Sequence, residues 1–117
     1  MIVRTYQERD KKDIVSLIAH FRVELANFKG ITREMDLNKA KDELNDYKDG
    51  KFIIYVAADD NDELRGYAVC RISSGVAWAD SLYVVPEPRR AGIGSSLYEA
   101  IESRASELGN DTVATTR

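Results

Sequence analysis

The chain has 117 residues, 44% hydrophobic and 32% charged, with a net charge of −3. That length and balance suit one folded domain over residues 1–117 and argue against a disordered chain, while the negative balance excludes a whole-domain positive field that would gather nucleic acid. A single cysteine, Cys70, and a single histidine, His20, exclude an intrachain disulfide, a thiolate zinc site and a multi-histidine metal site, so no metal is expected.

The N-terminus, Met1-Ile2-Val3-Arg4-Thr5-Tyr6, has no basic region followed by an apolar signal segment. No apolar run approaches the roughly 20 residues needed to cross a bilayer, so a cytoplasmic protein without a membrane partner is expected. Ile2 to Tyr6 predicts a short strand of β-branched and aromatic residues. Asp10 is placed to cap a helix beginning at Lys11, in which Ile14, Leu17, Ile18, Phe21, Leu25 and Phe28 recur at steps of three and four and paint one apolar stripe. Gly30 ends it.

Thr32 is read as the cap of a second helix with a narrower stripe, Leu37, Ala40, Leu44 and Tyr47, and dense charges of both signs facing water. Asp49-Gly50 is a turn signal. Lys51 to Ala58 predicts a strand, the acidic run 59–63 a hairpin loop, Leu64 to Ser73 a strand, Ser74-Gly75 a turn, and Val76 to Val85 a further strand ended by Pro86 and Pro88. After Gly94 a helix is expected with Ile93, Leu97, Ile101, Ala105 and Leu108 on one face, closed by Gly109-Asn110. Thr112 to Thr116 reads as a last strand. The order is β-α-α-β-β-β-α-β, an α/β (α+β) chain with a mixed, mostly antiparallel sheet flanked by helices.

The segment richest in chemistry runs from Leu82 to Leu97, where an apolar strand passes through a proline turn into a basic, glycine-bearing loop that opens a helix. The first N–H groups of a helix lack intrahelical partners and its dipole makes that end positive, so phosphate is a natural occupant. Gly92 and Gly94 let backbone approach a ligand, Arg89 and Arg90 add charge at the mouth, and Ser95 offers a hydroxyl. A glycine pair before a helix also makes a plain tight turn, and a surface Arg-Arg pair is commonly only solvated, so the residues alone leave both readings open. The Walker A pattern lacks its Lys-Ser/Thr, and the Rossmann fingerprint lacks its third glycine and its parallel setting.

In full context, Arg89-Arg90-Ala91-Gly92-Ile93-Gly94 resembles the Arg/Gln-x-x-Gly-x-Gly/Ala signature of the GNAT family of N-acetyltransferases. Leu82-Tyr83-Val84-Val85-Pro86 is similar to the strand before that signature, and the element order is similar over essentially the whole chain. The resemblance implies a GNAT-like acyl-CoA N-acyltransferase fold and acetyl-CoA as acyl donor. It implies that backbone groups of Leu82, Tyr83 and Val84 hold the pantetheine arm and that those from Arg90 through Ser95, with Ala91, Gly92, Ile93 and Gly94 between, hold the pyrophosphate. The acetyl group is then expected near the splay between the fourth and fifth strands, where a bulge N–H acts as an oxyanion-hole donor.

The resemblance further points to a fourth-strand carboxylate that deprotonates the acceptor, and Asp80 stands in that stretch. Its other reading is an ordinary polar residue on an exposed strand face. Phe28, at the helix junction, is either a substrate contact or the last core residue of its stripe. His20 is expected to pack or lie at the surface, Cys70 to be a buried inert thiol, and Trp78 to be core or cleft wall. The expected activity is transfer of the acetyl group of acetyl-CoA to an amine by direct attack; the alternative is a non-catalytic CoA-binding or interaction module. The charged second helix is compatible with a cationic acceptor, whose identity the sequence leaves open.

The chain departs from the family's pattern after the fifth strand, where relatives continue with a fourth helix and two strands. The expected fold is therefore incomplete at its C-terminus, and the usual Asn-bearing helix start and Tyr general acid have no counterpart; Tyr98 is not assigned to that role. An unpaired fifth-strand edge would invite a homodimer, or the chain is a fragment of a longer product.

Overall fold

The computed structural model describes residues 1–86, 92–110 and 112–115, without the side chain of Thr115. Runs of β-branched and aromatic residues form one five-stranded sheet from β1 (Ile2–Thr5), β2 (Phe52–Ala58), β3 (Leu64–Ser73), β4 (Val76–Val84) and β5 (Ala114–Thr115), in that spatial order. The first four pair antiparallel as neighbours, and β5 lies parallel to β4. Ser74 (φ 53°) and Gly75 (φ 74°) join β3 to β4 as a two-residue turn of left-handed backbone, the twist that suits a tight hairpin.

Strand alternation sends side chains to two separate cores. Val56, Leu64, Tyr67, Val69 and Tyr83 pack with α1 (Lys11–Phe28) and α2 (Leu37–Tyr47) on one face. Ala57, Ala68, Cys70, Ala77 and Val84 pack with α3 (Ile93–Glu107) on the other, under Ile93, Leu97 and Ile101, each fully buried. Burial of each such aliphatic chain stabilises by about 1.5–3 kcal/mol. The small residues of the α3 face let that helix sit close. Gly66 on β3 is the extreme case, since a Cβ there would lie 2.8 Å from the Tyr83 carbonyl oxygen and 3.2 Å from Leu97 Cδ1.

Helix ends follow local chemistry. Gly30 (φ 76°) turns the chain out of α1 while the Ile31 N–H donates to the Ala26 carbonyl at 2.8 Å. Two expected caps are corrected. Asp10 precedes α1 but makes no side-chain cap; its carboxylate is taken instead by a two-pronged bond from Arg4 (2.7 and 2.9 Å) and by the Gln7 N–H (2.8 Å). Thr32 does not start the second helix, which begins at Leu37 with Asp36 accepting from the Lys39 N–H at 3.0 Å. Both residues suit the role, and the side chain with an N–H three positions ahead in helical geometry wins.

The apolar stripe of α1 is also shorter than its spacing predicts. Ile14, Leu17 and Ile18 are buried, but Leu25 is 44% and Phe28 92% exposed, because the last turn of α1 borders open clefts rather than the core. The third helix starts one residue before Gly94, at Ile93. Trp78 is half-buried beneath the Arg71 guanidinium, 5.0 Å above its ring. Cys70 is fully buried, and burial pushes its thiol above the ordinary range.

Candidate functional site

The site is built around an irregularity in β4. Val69 pairs with Ser81 and Cys70 with Ala79, so Asp80 is an extra residue that no β3 residue faces. Such a bulge breaks strict alternation. Ala77 and Ala79 belong to the α3 face, whereas Asp80 reaches Arg71 (Nε to Oδ1, 3.4 Å) and Ser81 reaches Tyr47 (Oγ to Oη, 3.4 Å) on the α1–α2 face. Two consecutive polar side chains therefore point the same way, which an unbroken strand forbids. Among the described residues β5 pairs with β4 only at Trp78 and Ala79, immediately before the bulge.

Beyond the bulge, Leu82, Tyr83 and Val84 run antiparallel to β3. The first turn of α3 lies beside them: a Cβ on Gly94 would be 3.8 Å from both Leu82 Cδ2 and Val84 Cγ2. Gly92 enters that helix at φ 72°, and no atom of the described residues would lie within 4 Å of a Cβ there, so among them backbone conformation rather than crowding requires glycine. As the residue in the cap position it offers no side-chain acceptor to the first turn, leaving its N–H groups for an anion. The Ile93 side chain is fully buried, so only its backbone can serve, while Ser95 is exposed. Residues shaped in this way fit a phosphate-bearing ligand at the start of α3. Arg89, Arg90 and Ala91 lie outside the described residues.

On the other side of β4, two clefts meet at Phe21 and Leu25. One, of about 310 Å³, is lined by Phe21, Arg22, Leu25, Ala26, Lys29, Ile31, Arg33, Glu43, Tyr47 and Ser81. The other, of about 360 Å³, is lined by Phe21, Glu24, Leu25, Phe28, Leu82, Tyr83 and Val84. Phe28 thus lies on a cleft wall rather than in the core. Asp80 lines neither cleft and sits at the β4 floor next to Ser81.

The floor is fixed by a polar chain that the sequence did not reveal. Glu43 accepts from Arg22 (3.0 Å) and from the Tyr47 hydroxyl (2.9 Å), which leaves Ser81 as donor to Tyr47. Burial pushes the Tyr47 hydroxyl above its ordinary range, so it keeps its proton. Tyr83 donates its hydroxyl to Glu24 and stacks on Phe21 with ring centroids 5.0 Å apart. Tyr47 was legible only as the end of an apolar stripe. Ser81 carried no signal because the bulge that turns it inward depends on how β3 and β4 pair. His20 is exposed and bonded through Nδ1 to the Ser16 carbonyl, away from these groups. Among the described residues no cluster of three or more His, Cys, Asp or Glu could hold a metal.

A model of the acetyltransferase (GNAT) family matches residues 19–117. Solved structures share the fold. A mutant of a Bacillus halodurans protein aligns over 100% of this chain and 82% of its own at 18% identity with a TM-score of 0.77. An aminoglycoside antibiotic 6'-N-acetyltransferase from Acinetobacter haemolyticus aligns over 100% and 79% at 16% identity and 0.75. An aminoglycoside 6'-N-acetyltransferase complexed with coenzyme A aligns over 94% and 58% at 18% identity and 0.73. No curated protein matches the chain.

Proposed function

The chain belongs to the GNAT family of acetyltransferases, and from that premise we propose that it transfers the acetyl group of acetyl-CoA to an amine by direct attack. The observation that carries the reading is the placement of the first α3 turn against Leu82 and Val84, just past the Asp80 bulge. A pyrophosphate on the N–H groups of that turn and an arm along β4 bring the other end of the donor to the splay.

Acetyl-CoA supplies a thioester carbonyl as electrophile. The residues of the chain then have three tasks. Backbone from Gly92 to Ser95 holds the phosphates, with Arg89, Arg90 and Ala91 completing the loop. The bulge N–H polarises the carbonyl oxygen, a device that lowers a barrier by about 3 kcal/mol. Asp80 takes the proton that the attacking nitrogen must lose, directly or through water. An N–C bond forms, the C–S bond breaks, and the departing sulfur takes up a proton.

The test is a calorimetric titration of acetyl-CoA into the chain and its Ser95→Glu variant, followed by assay of free thiol with a library of amines. A carboxylate in the first turn of α3 favours the helix dipole but repels the pyrophosphate. The variant should melt no lower than the parent while binding acetyl-CoA at least about tenfold more weakly. Equal affinity would place the phosphates elsewhere. Binding without thiol release from any amine would favour the second reading, a CoA-binding module without catalysis.

A further inference from the structure

The charge of the cleft beside Ser81 names a class of acceptor. Among the described residues its one lining carboxylate, Glu43, is already held by Arg22 at 3.0 Å and by Tyr47 at 2.9 Å. Lys29 and Arg33, at the mouth where α1 passes toward α2, are exposed, and neither has an ion-pair partner among the described residues. Between mouth and floor the wall is apolar, with Leu25 44% and Ile31 53% exposed. Asp42 and Asp46, which give the second helix much of its acidic character, are exposed and line no part of this cleft. Among the described residues, the cationic acceptor with which the charge of the second helix is compatible therefore finds no free carboxylate in the cleft and two cations without ion-pair partners.

We propose that the acceptor is a primary amine whose far end carries an anionic group, a carboxylate or a phosphate. Lys29 and Arg33 hold the anion, Leu25 and Ile31 cover an apolar spacer, and the amine reaches Ser81 and the β4 bulge. Arg33 presents a planar fork suited to two oxygens of one anionic group, and Lys29 adds a point charge. Both are solvent-accessible, so the selectivity they confer weakens as salt screens them. The amine end of this assignment rests on the acetyltransferase reading above, whereas the anion site rests on the cleft itself.

The experiment uses four amines of matched length: 5-aminopentanoate, 4-aminobutyl phosphate, 5-aminopentanamide and 1,5-diaminopentane. Each is titrated calorimetrically into the full chain and into a Lys29→Gln/Arg33→Gln variant in the presence of CoA, and each is then assayed for thiol release with acetyl-CoA. One of the two anionic amines should bind about tenfold more tightly than the amide and the diamine. The variant should lose that preference while keeping its CoA affinity, and added salt should erode it in the parent. The stronger of the two anions identifies the group as carboxylate or phosphate. Equal or tighter binding of the diamine, an unchanged preference in the variant, or binding of none of the four overturns the assignment. Thiol release decides the acetyltransferase reading separately: anion-selective binding without turnover keeps the anion site and removes the enzyme, and turnover without charge preference does the reverse.

Discussion

Asp80 and Asp10 show how one residue type takes different work from its surroundings. Asp80 stands on the bulge, half-buried, with the Arg71 guanidinium at 3.4 Å orienting its carboxylate. If it removes the acceptor's proton, Asp80→Asn lowers kcat/KM by about 100-fold, with acetyl-CoA affinity retained. An unchanged kcat/KM would leave Asp80 as a structural partner of Arg71. Asp10 is 5% exposed, and the Arg4 hydrogen bonds hold its carboxyl below the ordinary range. Unfolding returns that group to about 3.9, so the stability it lends is complete above that value and is lost as pH falls through the lower, folded-state value. Asp10→Asn should cost about 2 kcal/mol at neutral pH by leaving Arg4 poorly paired. Urea titrations should show that cost shrinking as the pH drops below about 4; a cost that stays constant would mean the carboxylate's charge contributes nothing.

At the scale of elements, the distance between α3 and β3 sets where the first turn of α3 lies against β4. Gly66 permits that approach, because a Cβ there would lie 3.2 Å from Leu97 Cδ1 and 3.3 Å from Ile93 Cγ2 of α3, and 2.8 Å from the Tyr83 carbonyl of β4, where backbone yields little. Gly66→Ala is expected to destabilise the chain by about 2–3 kcal/mol, measured by chemical denaturation, and to weaken acetyl-CoA binding by shifting β4 against α3. A variant as stable as the parent would show that β4 moves freely at this point. Gly66 sits inside a strand whose pattern reads as ordinary, so its role is invisible until α3 is docked on it. The opposite holds for α3 itself: Ile93, Leu97, Ile101 and Ala105 announce the helix and its buried face from spacing alone, and all four are buried. Helix starts were harder to read because Thr32 and Asp36 carry the same capping chemistry four residues apart. Only the path of the chain after Gly30 selects the second.

Across the whole molecule, a single sheet has two different faces, with α3 and its glycine-bearing start on one and the clefts between α1, α2 and β4 on the other. β4 serves both, since Leu82 and Val84 pack toward α3 while Ser81 and Tyr83 face α1 and α2. The elements and their order, the family, and the glycine-bearing turn were legible in the residues alone, because periodicity, turn residues and a helix start are encoded within a few consecutive positions. So was the burial of Cys70, since that residue alternates with neighbours in a strand apolar on both faces. Folding was needed to show that Asp10 pairs with Arg4, that Phe28 lines a cleft instead of the core, and that Asp80 and Ser81 share a face. The fold likewise leaves Lys29 and Arg33 at the cleft without an ion-pair partner among the described residues. Each of these outcomes depends on which distant groups arrive at the same place, and hydrogen bonds and ion pairs between remote residues leave no period in the sequence to read.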